Sequence, residues 1–149
     1  MRPAAPRQAG FTLMELLLSI AIIGILAGIS APFYQSFVQR NDLDIATQQL
    51  VSSLRRAQSY ARVGDSDSAW SVEITGGNVI LFKGVTYGTR DANYDEANAL
   101  PGSITPSGLS EIQFAKFTST PNTTGAITLT SSTSDVRTVT VNAQGMVQQ

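Results

Sequence analysis

Residues 10–40 read GFTLMELLLSIAIIGILAGISAPFYQSFVQR, and no charged side chain lies between Glu15 and Arg40. The 24 uncharged positions from residue 16 to residue 39 make ~36 Å of α-helix at about 1.5 Å per residue. That length crosses a hydrocarbon core of roughly 30 Å. Leu16 to Phe33 is almost wholly apolar, whereas residues 64–149 are rich in Ser, Thr, Gly and Asn. A chain so segregated is expected to be anchored through its first part. The core helix of a soluble protein is the competing reading. The 86 residues after Val63 are too polar to wrap so apolar a helix on every side.

Upstream, residues 1–10 read MRPAAPRQAG, with two Arg, two Pro and no apolar core. Arg2 and Arg7 precede the span, so the positive-inside rule puts that end in the cytoplasm and the bulk of the chain outside the inner membrane. A secretory signal peptide carries its apolar stretch ahead of the cleavage site. Here the apolar stretch follows the Gly10–Phe11 junction, so cutting there would leave the anchor on the mature chain. A glycine at that junction lets a protease approach the backbone closely. A flexible tail on an ordinary signal anchor is the plainer alternative.

Glu15 stands at the entrance of the span, where an ionised carboxylate costs a few kcal/mol or more unless it finds a partner. Thr12 and Glu15 have capping-box spacing, and an acid in the first turn suits the helix dipole. A free amino group at Phe11, four residues earlier, would share its helix face. Gly24 and Gly28 form a small-xxx-small pair that permits close helix packing, or are simply the glycines common in membrane helices. Pro32 lacks an amide hydrogen and crowds the preceding turn, so it is expected to kink or loosen the helix.

The order of a short polar leader, Gly10-Phe11, Glu15 and a long apolar run resembles the type IV prepilins and type II secretion pseudopilins over residues 8–40. The resemblance implies cleavage between Gly10 and Phe11 by prepilin peptidase and N-methylation of Phe11. It implies that Glu15 meets the positively charged N-terminus of a neighbouring subunit during assembly, and that the helix melts near Pro32 in the filament. The partners implied are prepilin peptidase, other pilins or pseudopilins through the N-terminal helix, the inner membrane and an assembly platform. The destination implied is an extracellular pilus or a periplasmic pseudopilus. The expected division is a leader at 1–10, a transmembrane and filament-core helix at 11–39, an amphipathic helix half at 40–63 and a β-rich head at 64–149.

Beyond Pro32, Leu43, Ala46, Leu50, Leu54, Ala57 and Ala61 recur every three or four residues, the spacing of a helix with one buried face. Asp42, Gln48, Ser52, Arg55 and Arg62 fall mostly off that stripe, and Gly64-Asp65 is a stop signal. Ala69 to Thr75 alternates, with Trp70, Val72 and Ile74 on one face and Ser71, Glu73 and Thr75 on the other. Gly76-Gly77-Asn78 signals a hairpin, and Val79 to Val85 returns. Glu111 to Phe117, Ala126 to Thr130 and Val136 to Asn142 are further strands, with a turn at Ala143-Gln144-Gly145 and a short last strand at Met146-Val147. The expected fold is α+β: a long N-terminal helix packed on an antiparallel head of five or six strands.

Leu54 to Ala61 (LRRAQSYA), the early hairpin and Val136 to Val147 (VRTVTVNAQGMV) resemble the GspH/FimT-like minor pilins and pseudopilins. Some of that group bind DNA through arginines around a glycine near the C-terminus. Here Gly145-Met146-Val147 has only Arg137 nearby in sequence, a departure that weakens the DNA reading.

Catalysis finds little support. The chain has no Cys and no His, which removes thiolate sites, disulfides and the usual general base. Ten basic residues face eleven acidic ones, and loss of residues 1–10 would leave eight against eleven, a poor balance for a nucleic-acid binder. Asp91-Ala-Asn93-Tyr-Asp95-Glu96 resembles the opening of a calcium loop, but Glu96 replaces its glycine and Gly102 its late bidentate acid. A solvated acidic loop is the expected reading. Arg55, Arg56 and Arg62 complement the helix C-terminal dipole or touch phosphate. Trp70 and Tyr60 are expected as helix–sheet contacts, with a ligand platform as the alternative. The function expected is a structural filament subunit, minor pilin or pseudopilin, without enzymatic activity, cofactor or metal. The alternatives are a major pilin, a DNA-capturing minor pilin of a competence system, and a membrane-tethered domain unrelated to filaments.

Overall fold

The computed structural model describes residues 10–149, and the leader expectations that rest on Arg2 and Arg7 lie outside those residues. The chain divides into two compact units, one ending at Ser36 and the other spanning Phe37–Gln149.

Helix α1, Leu13–Val63, belongs to both units. Thr12 caps its start: the Glu15 amide donates to Thr12 Oγ1 at 3.2 Å and the Leu16 amide to the Thr12 carbonyl at 3.2 Å. One half of the expected capping box is therefore closed. The side chains of residues 30–33 are not described, so the expectation of a kink at Pro32 lies outside the described residues. Gly64 ends the helix with φ +71, its amide bonded to the Ala61 carbonyl at 3.1 Å. This is the left-handed C-terminal position that glycine fills without a Cβ penalty.

In the second unit, the six stripe residues from Leu43 to Ala61 are each at most 1 % exposed. Thr47, Val51 and Ser53 are buried beside them, so the covered face is wider than one stripe. The cause is a core shared by two sheets. The first has the order β3-β2-β1-β5, from Trp70–Thr75 (β1), Asn78–Lys83 (β2), Asp91–Ala99 (β3) and Glu111–Phe114 (β5). The second has the order β4-β6-β7-β8, from Ile104–Gly108 (β4), Gly125–Ser131 (β6), Val136–Val141 (β7) and Val147–Gln148 (β8). Every pairing is antiparallel. Trp70, Val72, Val79, Leu81, Ile112 and Phe114 of the first sheet meet Ile127, Leu129, Val139 and Val141 of the second in one apolar cluster with the helix stripe.

The α+β expectation holds, with a correction to the head. It has eight strands in two four-stranded sheets rather than five or six strands. The Gly76-Gly77 hairpin forms as read: Thr75 faces Asn78, and both glycines have positive φ, 56° and 75°, as a two-residue hairpin turn requires. The acidic segment is also corrected, because Asp91–Ala99 is edge strand β3. Only residues 92–95 stand out of register, facing Phe82 alone between the pairs Leu81–Glu96 and Lys83–Asp91. They form a bulge within a strand. The strand begun at Glu111 stops at Phe114 because residues 115–120 curl back. The Phe117 amide, with φ +66, donates to the Ala61 carbonyl at 2.7 Å and helps to close the helix end.

Candidate assembly surface

The first unit exposes apolar side chains on all sides of α1. Leu16, Leu17 and Leu18 are each more than half exposed, as are Ile20, Ile23, Ile25, Leu26 and Ile29. A helix apolar all round is stable only inside lipid or among other apolar helices. Helix α1 is long and apolar enough, by length and composition, to cross a membrane. A Cβ added at Gly24 or Gly28 would meet nothing within 4 Å. No packing inside the described chain requires a glycine at either place, and both leave the surface open to close approach by another helix.

Gly10 and Phe11 precede the helix in extended or irregular backbone, and Phe11 is 84 % exposed. An unfolded, accessible junction is the backbone form a protease can bind. Glu15 is exposed in the first turn. Its amide is held by Thr12 and its carbonyl accepts Ser19 Oγ–H at 2.7 Å. In the uncleaved chain the nitrogen of Phe11 belongs to a neutral peptide bond, so a cation four residues from Glu15 arises only by cutting before Phe11. Glu15 thus lies at the entrance of an apolar surface with no ion-pair partner among the described residues.

The other sequence-derived candidates lie in the head. Arg56 is held by Glu96 at 2.6 Å and by the Tyr60 hydroxyl at 3.1 Å. Hydrogen bonding to Tyr60 raises its pKa, burial opposes that rise, and the hydrogen bond to Glu96 adds to it. Arg55 and Arg62 are exposed and unpaired among the described residues. The three arginines therefore do not act as one cluster. Arg90 takes Asp95 at 2.7 Å and stacks 3.7 Å over Tyr87. Among the described residues no three acidic side chains converge as a metal site requires. Trp70 is 4 % exposed, 4.7 Å from the Tyr60 ring, and its indole N–H donates to the Asp65 carbonyl at 3.1 Å. Both rings are helix–sheet contacts. Arg137 is drawn to Asp44 of α1 at 3.3 Å, at the opposite end of β7 from the Gly145 turn. Gly145, φ +80, is needed for close packing: a Cβ there would lie 2.6 Å from Gln58 Nε2 and 2.9 Å from the Ser119 carbonyl oxygen. Two features escaped the sequence reading, namely a groove on the back of α1 around Arg55 and a pair of glutamates facing each other across β1 and β5.

Residues 5–31 match the family model of the prokaryotic N-terminal methylation motif. A fimbrial protein of Pseudomonas aeruginosa is 46 % identical over 54 residues, 36 % of this chain and 34 % of that protein. The fimbrial protein EcpC of Eikenella corrodens is 56 % identical over 39 residues, 26 % of each chain. The type IV major fimbrial protein FimA of Dichelobacter nodosus is 53 % identical over 36 residues, 24 % of this chain and 23 % of that one. The chain thus spans about a third or less of the curated relatives it matches. No solved structure matches it.

Proposed function

We propose that this chain, whose N-terminal segment is similar to that of type IV fimbrial proteins, is a pilin-like structural subunit of a type IV pilus or type II secretion pseudopilus. The observation that carries the reading is the exposed apolar helix surface from Leu13 to Ile29, headed by Glu15. Such a surface needs lipid while the subunit waits and other helices once it assembles. Prepilin peptidase cuts between Gly10 and Phe11, and the new Phe11 amine is methylated. That cut creates a cation at the apolar segment's first turn, and Glu15 pairs with the Phe11 terminus of a neighbouring subunit as the helix leaves the membrane. Gly24 and Gly28 let adjacent helices approach, and the helix loosens at Pro32. The amphipathic half, residues 40–63, holds the head, residues 64–149, on the outside. Leu54 to Ala61 and Val136 to Val147 favour the GspH/FimT-like group, and with it a minor pilin or pseudopilin role. The chemistry is mechanical, without catalysis.

Mass spectrometry of the chain from membranes with and without prepilin peptidase tests this. The expected product begins at Phe11 and carries one added methyl group, and it is absent without the peptidase. A chain retaining Met1 in peptidase-containing membranes contradicts the proposal.

A further inference from the structure

The outer face of the first sheet has a small core of its own. Ile80 and Phe82 are buried, yet neither belongs to the cluster shared by α1 and the two sheets. In register, Phe82 faces Ser71 and Ile80 faces Glu73 across β1 and β2. Their neighbours Val72 and Leu81 lie in the main core, so strand alternation turns these four side chains away from α1. The connection from β2 to β3, residues 84–90, lies over them. The Ser71 hydroxyl donates to the Gly84 carbonyl at 2.7 Å, and the Tyr87 ring meets Phe82 edge-on at 5.6 Å.

Both ends of this strap are fixed. The Gly84 amide donates to the Ala69 carbonyl at 3.0 Å, and Arg90 pairs with Asp95 at 2.7 Å. Arg90 also stacks over Tyr87 and donates to its carbonyl at 2.8 Å, contacts internal to the strap. The middle of the strap reaches the sheet through one hydrogen bond among the described residues, from the Tyr87 amide to Glu111 Oε2 at 3.4 Å. That is long for a bond to a carboxylate, ordinarily about 2.7–2.9 Å.

The acceptor is under strain from its neighbour. Glu111 stands directly opposite Glu73, and facing like charges destabilise a strand pair. Both are half-buried, and one Glu73 carboxylate oxygen is enclosed without a hydrogen-bond partner. The charged groups of the surrounding elements bring no relief. Arg90 of the strap is taken by Asp95, Glu96 of β3 holds Arg56, and Lys83 of β2 faces Asp91 and lies 4.4 Å over the Tyr94 ring. Burial, then repulsion from Glu111, raises the Glu73 pKa. The closed strap therefore favours the protonated acid, and closure is stabilised at low pH and weakened as pH rises through the raised pKa.

We infer that residues 84–90 are a pH-responsive strap, closed over Ile80 and Phe82 in mild acid and opening towards neutral pH, with Glu73 as its trigger and Glu111 as its catch. In the closed form one proton serves the two carboxyls. The Glu73 O–H donates to the Glu111 carboxylate and leaves Glu111 Oε2 for the Tyr87 amide. Loss of that proton sets the two carboxylates against each other, turns Glu111 outward and frees Tyr87 between the anchored ends. Opening uncovers Ile80 and Phe82 while the main core stays closed, a local transition rather than a global one. The device belongs to the head and stands apart from the filament reading.

Hydrogen exchange of the full chain in detergent, followed by mass spectrometry and corrected for the intrinsic pH dependence of exchange, tests this between about pH 8 and about pH 5. Peptides covering residues 84–90 are compared with peptides from β6 and β7. Protection of the strap should rise by about fivefold towards the acid end, the scale of a facing charge pair, while β6 and β7 change by less than about twofold. Glu73→Gln and Glu111→Gln each remove the facing charges, so each should hold the strap's protection flat across the range. Strap protection that is flat in the wild type, that keeps its pH dependence in Glu73→Gln, or that moves only in step with β6 and β7 overturns the inference.

Discussion

Leu17 and Leu54 sit on the same helix and should behave oppositely when shortened to Ala. Leu54 is fully buried between α1 and both sheets, whereas Leu17 is 56 % exposed. Leu54→Ala removes buried carbon worth about 0.8 kcal/mol per CH₂ and leaves a cavity, for a loss of about 3 kcal/mol. The second unit, Phe37–Gln149, of roughly 110 residues, has an unfolding entropy of about 0.23 kcal/mol/K, so its midpoint should fall by about 13 °C. Leu17→Ala touches no core, and its effect should stay within about 0.5 kcal/mol, or about 2 °C. Thermal melts of the full chain in detergent, followed by circular dichroism in the near-ultraviolet where Trp70 reports, compare the two. If Leu17→Ala lowered the midpoint as far as Leu54→Ala, the apolar segment would be part of the head's own fold. The argument that it awaits an outside partner would then fail.

Glu15→Ala should leave cleavage before Phe11 intact and impair incorporation into filaments; normal incorporation in a sedimentation assay would remove its assembly role. Gly64→Ala should cost about 1–3 kcal/mol, because φ +71 disfavours a side chain and the new Cβ would overlap the Phe117 ring; an unchanged melting midpoint would contradict this. Burial, then repulsion from Glu111, pushes the Glu73 carboxyl above its ordinary range. The protonated form is therefore favoured in the folded state, and the stability it contributes is present at low pH and lost as pH rises through the raised pKa. Glu73→Gln should then melt above wild type at pH 7, with the difference shrinking towards pH 4, and a variant less stable than wild type at pH 7 would reverse the sign.

The helix was legible because its signals are local. Thr12 and Glu15 mark its start, Gly64 its end, and the leucine–alanine stripe its buried face. The hairpin at Gly76-Gly77 was equally local, since two glycines are needed where two consecutive residues take positive φ. Strands β3 and β4 escaped for a shared reason: both lie at sheet edges, where polar sequence such as DANYDEANA and a residue such as Pro106 are tolerated. Glu73 and Glu111 look like two ordinary surface acids until the register sets them side by side across strands distant in sequence. The Arg55 groove depends on how the head closes around α1, and no short motif encodes that. Phe117 reads as the last residue of a strand, yet its positive φ serves the helix end.

The central claim is that the apolar surface of α1 from Leu13 to Ile29 is covered by the matching helices of neighbouring subunits. A photo-crosslinking amino acid at position 22, where Ile22 is 49 % exposed, tests it in assembly-competent cells. The predicted result is adducts to the N-terminal helices of other pilin chains that disappear when Glu15 is replaced by Ala. Adducts confined to the chain's own head, or to lipid alone in cells making filaments, would contradict it.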